Sequence, residues 1–359
     1  MSSKPISDSR RQYLTQVKEE FPEALLLGET RFIKKISMRY GENPNYPAAF
    51  YVEAEASGPN MATMEVLQAG TKGLSFINVA DMDLGQRLLV KLNSIYPQDS
   101  LAVMVKHEMP SGVAKAPSPL EAFLKAWGCD PLANFGSVNV FNFEVDESLA
   151  LRLIESPRNI EVVYAPGYQP EALRILASRK TLRVCRMARL DLPSKDNGLE
   201  VKRVAGGLLI QKRFDSKITS PEAIDVISQR KPSLEEVEAA IFNWIVACFT
   251  RSNAVVIGQK DKVHGIGSGQ RSRIDAAENA IRLSQRGYGP QGCVLASDAF
   301  MPFTDVVELA AASGITAVIA PLGSIRDEEV IRRADELHLA FLVTRRPGET
   351  DSERAFLHR

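Results

Sequence analysis

Lys106 and His107 stand together where an apolar run ends, in the stretch LAVMVKHEMPSG (101–112). An imidazole beside an ammonium can take a proton from a nucleophile while the cation holds the negative charge developing on its target. Leu101 to Val105 are apolar and rich in β-formers, which predicts a short buried strand leading into the pair. Adjacent side chains of a strand point to opposite faces, so the two residues serve one site only if the chain turns there. Pro110, Ser111 and Gly112 supply that turn in this reading. Ser111 is then placed to cap the helix that Pro119-Leu120-Glu121-Ala122-Phe123-Leu124 predicts. The carboxyl end of a buried strand is where open α/β sheets bind ligands. The other reading is a solvated lysine beside a structural histidine, and this stretch alone leaves both open.

Four further stretches carry candidate chemistry. Arg39-Tyr40-Gly41-Glu42-Asn43-Pro44-Asn45 is a predicted loop, in which a guanidinium could grip a phosphate or simply be solvated. Asn253 falls at a helix-to-strand junction, where a C-cap is the first reading and a functional role the second. HGIGSGQ (264–270) looks like a nucleotide-binding loop, yet Gln270 stands where GxGxxG needs its third glycine, and no Lys-Ser/Thr follows. A strand-turn-strand precedes it and a helix from about Ser272 follows, so the loop is expected to bind an anion or polar heterocycle rather than a dinucleotide. In SDAFMPFTD (297–305), Phe300 and Phe303 around Pro302 either form a slot for a flat ring or staple the helix predicted over 306–312.

The elements that must position these residues alternate between strand and helix. Leu84, Leu88, Leu89 and Leu92 have helical spacing, and Asp81 and Asp83 suit that helix's N-terminus. A glycine turn at Gly136 enters a strand, Glu161 to Ala165 is another, a helix follows from Pro170 to about Ser178, and Thr181 to Val184 closes the unit. Near the C-terminus, Ala317 to Ala320, a helix from Asp327 to Leu337 and Ala340 to Val343 repeat the order strand, Ala-Pro, helix, strand. Ser233-Leu234-Glu235-Glu236 is a capping box opening a helix whose apolar face holds Leu234, Val237, Ile241, Trp244, Ile245 and Cys248. The chain therefore reads as α/β with a duplicated unit. Residues 1–30 are expected to be an extension with an amphipathic helix around Ser9 to Phe21.

Composition narrows the function classes. Forty-four basic against forty-four acidic side chains give no electrostatic support to a nucleic-acid partner. No apolar run approaches the roughly 18 residues of a membrane span, and the first residues lack a signal-peptide core. The cysteines Cys129, Cys185, Cys248 and Cys293 are scattered without a CxxC pair, which suits a reduced, cytoplasmic protein and argues against a structural zinc site.

Taken together, these stretches resemble the formyltransferase domain of the bifunctional purine-biosynthesis enzyme, the AICAR transformylase, where AICAR is 5-aminoimidazole-4-carboxamide ribonucleotide. The matches run in the family's order from Arg39 to His358. GxGxGQxSRI (Gly265 to Ile274) and SDAFxPFxD (Ser297 to Asp305) are the most specific. The resemblance implies two duplicated cytidine-deaminase-like three-layer α/β units joined by a helical segment. The boundaries are an extension over 1–30, a first unit over 31–200, a helical connection over 201–253 and a second unit over 254–359. It implies an intertwined homodimer with active sites at the interface and no zinc, in line with the missing HxE and PCxxC. The reaction implied moves a formyl group from the cosubstrate 10-formyltetrahydrofolate to the AICAR amine, with Lys106, His107 and Asn253 catalytic. Arg39, Tyr40, Gly136, Glu161, Asn253, Arg273, Phe300 and Arg354 would contact the ribonucleotide. Ile274, Pro302, Phe303 and Asp305 would face the folate, with Ala320 and Pro321 nearby; a monovalent cation is left open. Three departures stand out: Met109 where the family has Asn, Arg251 for Lys, and an insertion over Arg346 to Glu353. About 30 residues stand where the family's cyclohydrolase domain is normally found, so a separate IMP cyclohydrolase is the expected pathway partner. The competing expectations are a non-catalytic ligand-binding paralogue and a formyltransferase for a related aminoimidazole.

Overall fold

Leu84, Leu88, Leu89 and Leu92 are fully buried along α1 (Phe76–Ile95), the first element of an order that the chain runs through twice. The computed structural model describes residues 21–190, 192, 195 and 198–344. After α1 come β1 (Ser100–Lys106), β2 (Met109–Ala116), α2 (Pro119–Cys129), β3 (Ser137–Phe141), α3 (Glu147–Ile154), β4 (Ile160–Ala165), α4 (Pro170–Ala177) and β5 (Arg183–Arg186). The second pass is α5 (Leu234–Cys248), β6 (Val255–Gln259), β7 (Lys262–Gly267), α6 (Arg273–Ser284), β8 (Val294–Ser297), α7 (Asp305–Ala312), β9 (Ala317–Ala320), α8 (Asp327–Glu336) and β10 (Ala340–Val343). Each pass is a helix, an antiparallel hairpin and three helix–strand steps. The protein is mixed α/β. The amphipathic helix expected around Ser9 lies outside the described residues.

The residues gather into two compact units that do not follow chain order: one ends at Arg87 and resumes over Gly136–Asn197, the other takes Leu88–Phe135 and resumes at Gly198. In the first unit β3, β4 and β5 run parallel, with Glu65–Gln68 antiparallel beyond β5. An antiparallel ribbon of Ala24–Leu27, Thr30–Met38 and Ala48–Glu53 also belongs to it. Tyr164 is buried in this unit, and its hydroxyl donates to Gln86 Oε1 at 2.9 Å. Asp83 lies well inside α1 and pairs with Arg87 one turn on, so the aspartates are not the N-terminal signal. Ser75 and Asn78 are: each backbone N–H donates to the other's side-chain oxygen at 3.2 Å.

In the second unit eight strands lie in the order Asp225–Val226, β10, β9, β8, β6, β7, β2, β1. The three steps β8, β9 and β10 are parallel, and both hairpins are antiparallel. The capping box at Ser233 and Glu236 starts α5 as expected. Leu234, however, is exposed, and every residue from Ala239 to Cys248 is buried. This helix is surrounded by protein rather than laid on it by one stripe. Residues 201–253 are helical only in this final part; before it come an exposed ribbon of Leu199–Val204 and Gly207–Lys212 and a short 3-10 turn at Pro221–Ala223.

Candidate active site

Lys106 ends β1, and its Cα partner across the ladder is Met109, the first residue of β2. The two residues between them, His107 and Glu108, have φ of 55° and 57°. Two consecutive positive φ values make the tight hairpin loop whose twist matches its flanking strands. The turn is therefore at His107–Glu108, not at Pro110-Ser111-Gly112 as their composition suggests. Those three lie within β2. Val105 pairs with Pro110 and Met104 with Gly112, leaving Ser111 as the extra residue of a β-bulge, a place where proline's missing N–H is tolerated. Ser111 caps no helix; its hydroxyl donates to Asn134 Oδ1 at 2.6 Å. His107 projects exposed at the tip, and the Lys106 ammonium donates to the Phe135 carbonyl at 2.6 Å.

The tip borders a cavity of about 330 Å³ within the second unit, lined among others by Lys106, His107, Met109, Ser111, His264 and Gln270. It thus joins the Lys-His stretch to the glycine-rich one, and the glycines there have a structural cause. Gly265 and Gly267 belong to β7, and a Cβ on them would stand 2.0 Å from the Ala280 carbonyl oxygen and 1.9 Å from that of Ala276, both in α6. Gly112 does the same under α2, where a Cβ would meet the Ala126 oxygen at 2.1 Å. These glycines let a helix backbone lie directly on a strand. The ligand-binding loop expected here shrinks to Ser268-Gly269-Gln270, with Gly269 at φ 68° and Ser272 capping α6 through the Asp275 N–H at 3.2 Å.

Asn253 is fixed on both sides of its amide. Its Nδ2 donates to the Gln270 carbonyl at 2.9 Å, and its Oδ1 accepts from Arg273 at 2.8 Å. Arg273 also donates to Ser297 Oγ at 2.8 Å and forms an ion pair with the fully buried Asp298, which accepts from Ser252 as well. Removing one partner of such a pair typically costs about 3–5 kcal/mol. Arg273 and Asn253 are thus linked to the cavity lining by the Gln270 carbonyl, in a frame whose buried centre is Asp298. Asp298 lies inside the SDAF motif, and its burial was the signal that sequence could not supply.

The other expected residues are placed as follows. Ile274 packs on the core of the second unit, and Ala320 and Pro321 are buried. Phe303 is exposed beneath the Arg326 guanidinium, 5.2 Å from its ring centre, while Met301 rather than a phenylalanine enters the core beside Val306 and Val307. Phe300, Pro302 and Asp305 are half-buried, and Asp305 Oδ1 accepts from the Val306 N–H at 2.8 Å. In the first unit, Arg39 donates to the Tyr40 hydroxyl at 2.6 Å and stacks on its ring. Its Nε and Nη1 are buried without a partner among the described residues. Gly136 has φ 84° and donates to the Asn159 carbonyl, and Glu161 pairs with Arg183. Arg354 lies outside the described residues.

His264 is the cavity residue whose chemistry the sequence did not announce. It is 3% exposed, and its Nδ1 lies 2.6 Å from the Gly289 carbonyl oxygen, so that nitrogen carries the proton. Burial holds this imidazole below the usual histidine range, with nearby Lys262 adding to the effect against the Gly289 hydrogen bond. Below about pH 6.5 the unfolded chain takes up a proton here that the folded chain resists, so stability falls as pH drops. His264→Gln is expected to flatten that loss. Melting temperatures of both forms at about pH 7.5 and 5.5 measure it, and parallel declines would contradict it.

The model of the AICARFT/IMPCHase bienzyme family matches residues 8–283. The chain belongs to that family. AICARFT/IMPCHase proteins are named for two activities of purine biosynthesis, formyl transfer to AICAR and closure to inosine monophosphate. The matched span takes in the Lys106–His107 hairpin, Asn253, Arg273 and nearly all of α6, and ends before the SDAF motif. Among the described residues no helix is long and apolar enough to cross a membrane, and no three His, Cys, Asp or Glu side chains gather as metal ligands.

Proposed function

We propose that this chain transfers a formyl group from 10-formyltetrahydrofolate to the 5-amino group of AICAR, giving formyl-AICAR and tetrahydrofolate. One observation carries the reading: an imidazole and an ammonium share a hairpin tip that borders a cavity of about 330 Å³, in a chain of this family. That volume falls at the lower end for small-molecule sites. The AICAR amine is a weak nucleophile because its lone pair is conjugated with the ring and carboxamide. His107 removes its proton as nitrogen attacks the formyl carbon, and the Lys106 ammonium donates to the oxyanion of the tetrahedral intermediate. The C–N10 bond then breaks, and His107 returns the proton to the departing N10. The Phe135 carbonyl positions Lys106 by accepting one of its three N–H groups.

Arg39, with two buried unpartnered guanidinium nitrogens, is assigned to the ribonucleotide phosphate. The exposed Phe303 and the segment to Asp305 are assigned to the folate, with the active form a homodimer in the cytoplasm. The architecture fitting this reading is a pair of cytidine-deaminase-like units, supported by the repeated element order and by a bulge at the same step of each hairpin. Purified protein with AICAR and 10-formyltetrahydrofolate should release tetrahydrofolate, followed by absorbance. No release at saturating concentrations of both would reject the activity.

Met109 favours one variant of this reading, in which the substrate is a related aminoimidazole. It lines the cavity directly across the ladder from Lys106, and it is partly exposed there. For AICAR itself, Met109→Asn is expected to preserve or raise kcat/KM without changing the fold. A tenfold loss, about 1.4 kcal/mol of transition-state stabilisation, would show that the apolar side chain serves AICAR itself and would reject the related substrate.

A further inference from the structure

Asn134 is fully buried, and both sides of its amide are engaged at the base of the Lys-His hairpin. Its Nδ2 donates to the carbonyls of Ala126 at 3.2 Å and Trp127 at 2.9 Å. Both lie in the last turn of α2, where helix carbonyls lack intrahelical partners. Its Oδ1 accepts from the Ser111 hydroxyl at 2.6 Å. Ser111 is the extra residue of the bulge in β2, and two ladder pairs, Val105–Pro110 and Lys106–Met109, separate that bulge from the turn. A bulge sets the bend and twist of the strand beyond it. What holds Ser111 therefore aims the tip.

The next residue meets the other strand of the same hairpin. Asp130 ends α2 and shapes the turn that follows: its Oδ1 accepts from the Ala133 N–H at 3.0 Å and its carbonyl from the Asn134 N–H at 2.9 Å. Its second carboxylate oxygen pairs with Arg286 at 3.0 Å. Phe135 leaves this turn with its carbonyl accepting from the Lys106 ammonium at 2.6 Å. Asn134 thus reaches β2 through its side chain while Phe135 reaches the end of β1 through its backbone, all within the second unit. The bulge of the other hairpin is also held by a buried asparagine. Asn243 of α5, however, donates only to backbone carbonyls, those of Gly258 at 3.0 Å and Val294 at 2.9 Å.

We propose that Asn134 is a positioning residue for formyl transfer: it holds the bulge and the Phe135 carbonyl in one frame, and so fixes the Lys106 ammonium where the oxyanion develops. This rests on the AICAR reading above. A lysine is a point charge on a flexible four-carbon stem, and an oxyanion donor is effective when it is preorganised. Misplacing a reacting group by about 1 Å can cost about 100-fold in rate. An asparagine that merely capped α2 would raise the melting temperature and leave turnover per folded molecule unchanged.

A double-mutant cycle on the full chain tests it, with kcat measured for the wild type, Asn134→Ala, Lys106→Ala and the double variant. Asn134→Ala is expected to lower kcat at least about tenfold, with kcat/KM falling by the same factor, as for an interaction made only in the transition state. That loss should vanish in the Lys106→Ala background, because both changes remove the same donor. Acetylation by N-hydroxysuccinimidyl acetate, followed by peptide mass spectrometry, reads the anchoring without turnover. Lys106 should react at least about threefold faster in Asn134→Ala, with the exposed Lys202 as the unchanged reference. Additive losses in the cycle, or an unchanged Lys106 rate, would overturn the assignment while leaving formyl transfer standing. Should Asn134→Ala fail to fold, Ser111→Ala, which removes only the hydroxyl, decides by the same cycle and the same labelling. A wild type that releases no tetrahydrofolate with AICAR would remove the transfer reading and this assignment together.

Discussion

His107→Asn is expected to lower kcat by at least about 100-fold, the scale of losing a positioned general base. Asparagine is chosen because position 107 has φ 55°, a conformation Asn adopts far more readily than Ala, so hairpin geometry is retained while the base is removed. Lys106→Ala should lose a comparable factor, corresponding to a few kcal/mol of oxyanion stabilisation. Neither change deletes core packing, since His107 is exposed at the tip and the half-buried Lys106 donates its ammonium to the Phe135 carbonyl. Circular dichroism should therefore be unchanged in both. Turnover near the wild-type rate in a folded His107→Asn protein would remove the general-base role. The same result in Lys106→Ala would leave the oxyanion to another donor.

The largest effect on stability is expected from Gly267→Ala. A Cβ there would stand 1.9 Å from the Ala276 carbonyl oxygen and 2.7 Å from its carbon, and both neighbours are helix backbone that cannot swing aside. Relief requires α6 to lift from β7, and over-packing of this kind typically costs about 1–3 kcal/mol or more. The upper end of that range is expected here, because all three nearest atoms are backbone of Ala276. With an unfolding entropy of about 2.1 cal/mol/K per residue over 359 residues, about 3 kcal/mol is a fall of roughly 4 °C in melting temperature. Gly207→Ala is the control: its nearest neighbour is Val204 Cγ2 at 3.7 Å, on an exposed ribbon, so stability should hardly move. Equal melting temperatures for Gly267→Ala and the wild type would show that α6 does not press on this strand.

Local elements were legible because their causes are local. Ala317–Ala320 and Ala340–Val343 are strands over the residues that their apolar runs mark, and α8 over Asp327–Glu336 differs from its predicted span by one residue. Ser233 and Glu236 make their capping box with each other, three residues apart, so no other part of the chain had to be known. Lys106 and His107 were likewise recognisable as a pair that could do chemistry. What side-chain identity could not reveal was where that hairpin turns. Pro110, Ser111 and Gly112 are turn-forming by composition, but the ladder with β1 pulls them into a strand and puts the left-handed residues at His107 and Glu108.

The glycine-rich stretch and His264 show the other side most plainly. A glycine beneath a ligand and a glycine beneath a helix are the same letter, and only the approach of Ala276 and Ala280 decides for the second. His264 owes its orientation to a bulge held by Asn243 and its tautomer to the carbonyl of Gly289, 25 residues further along the chain. Sequence alone determined which short segments are strands and helices and which residues are capable of acid–base chemistry, because propensity, capping and pattern act within a few residues. Tertiary structure decided which of those residues share a cavity and which face a helix backbone. Burial and hydrogen-bond partners are set by contacts between distant segments, and those contacts exist only once the chain has folded.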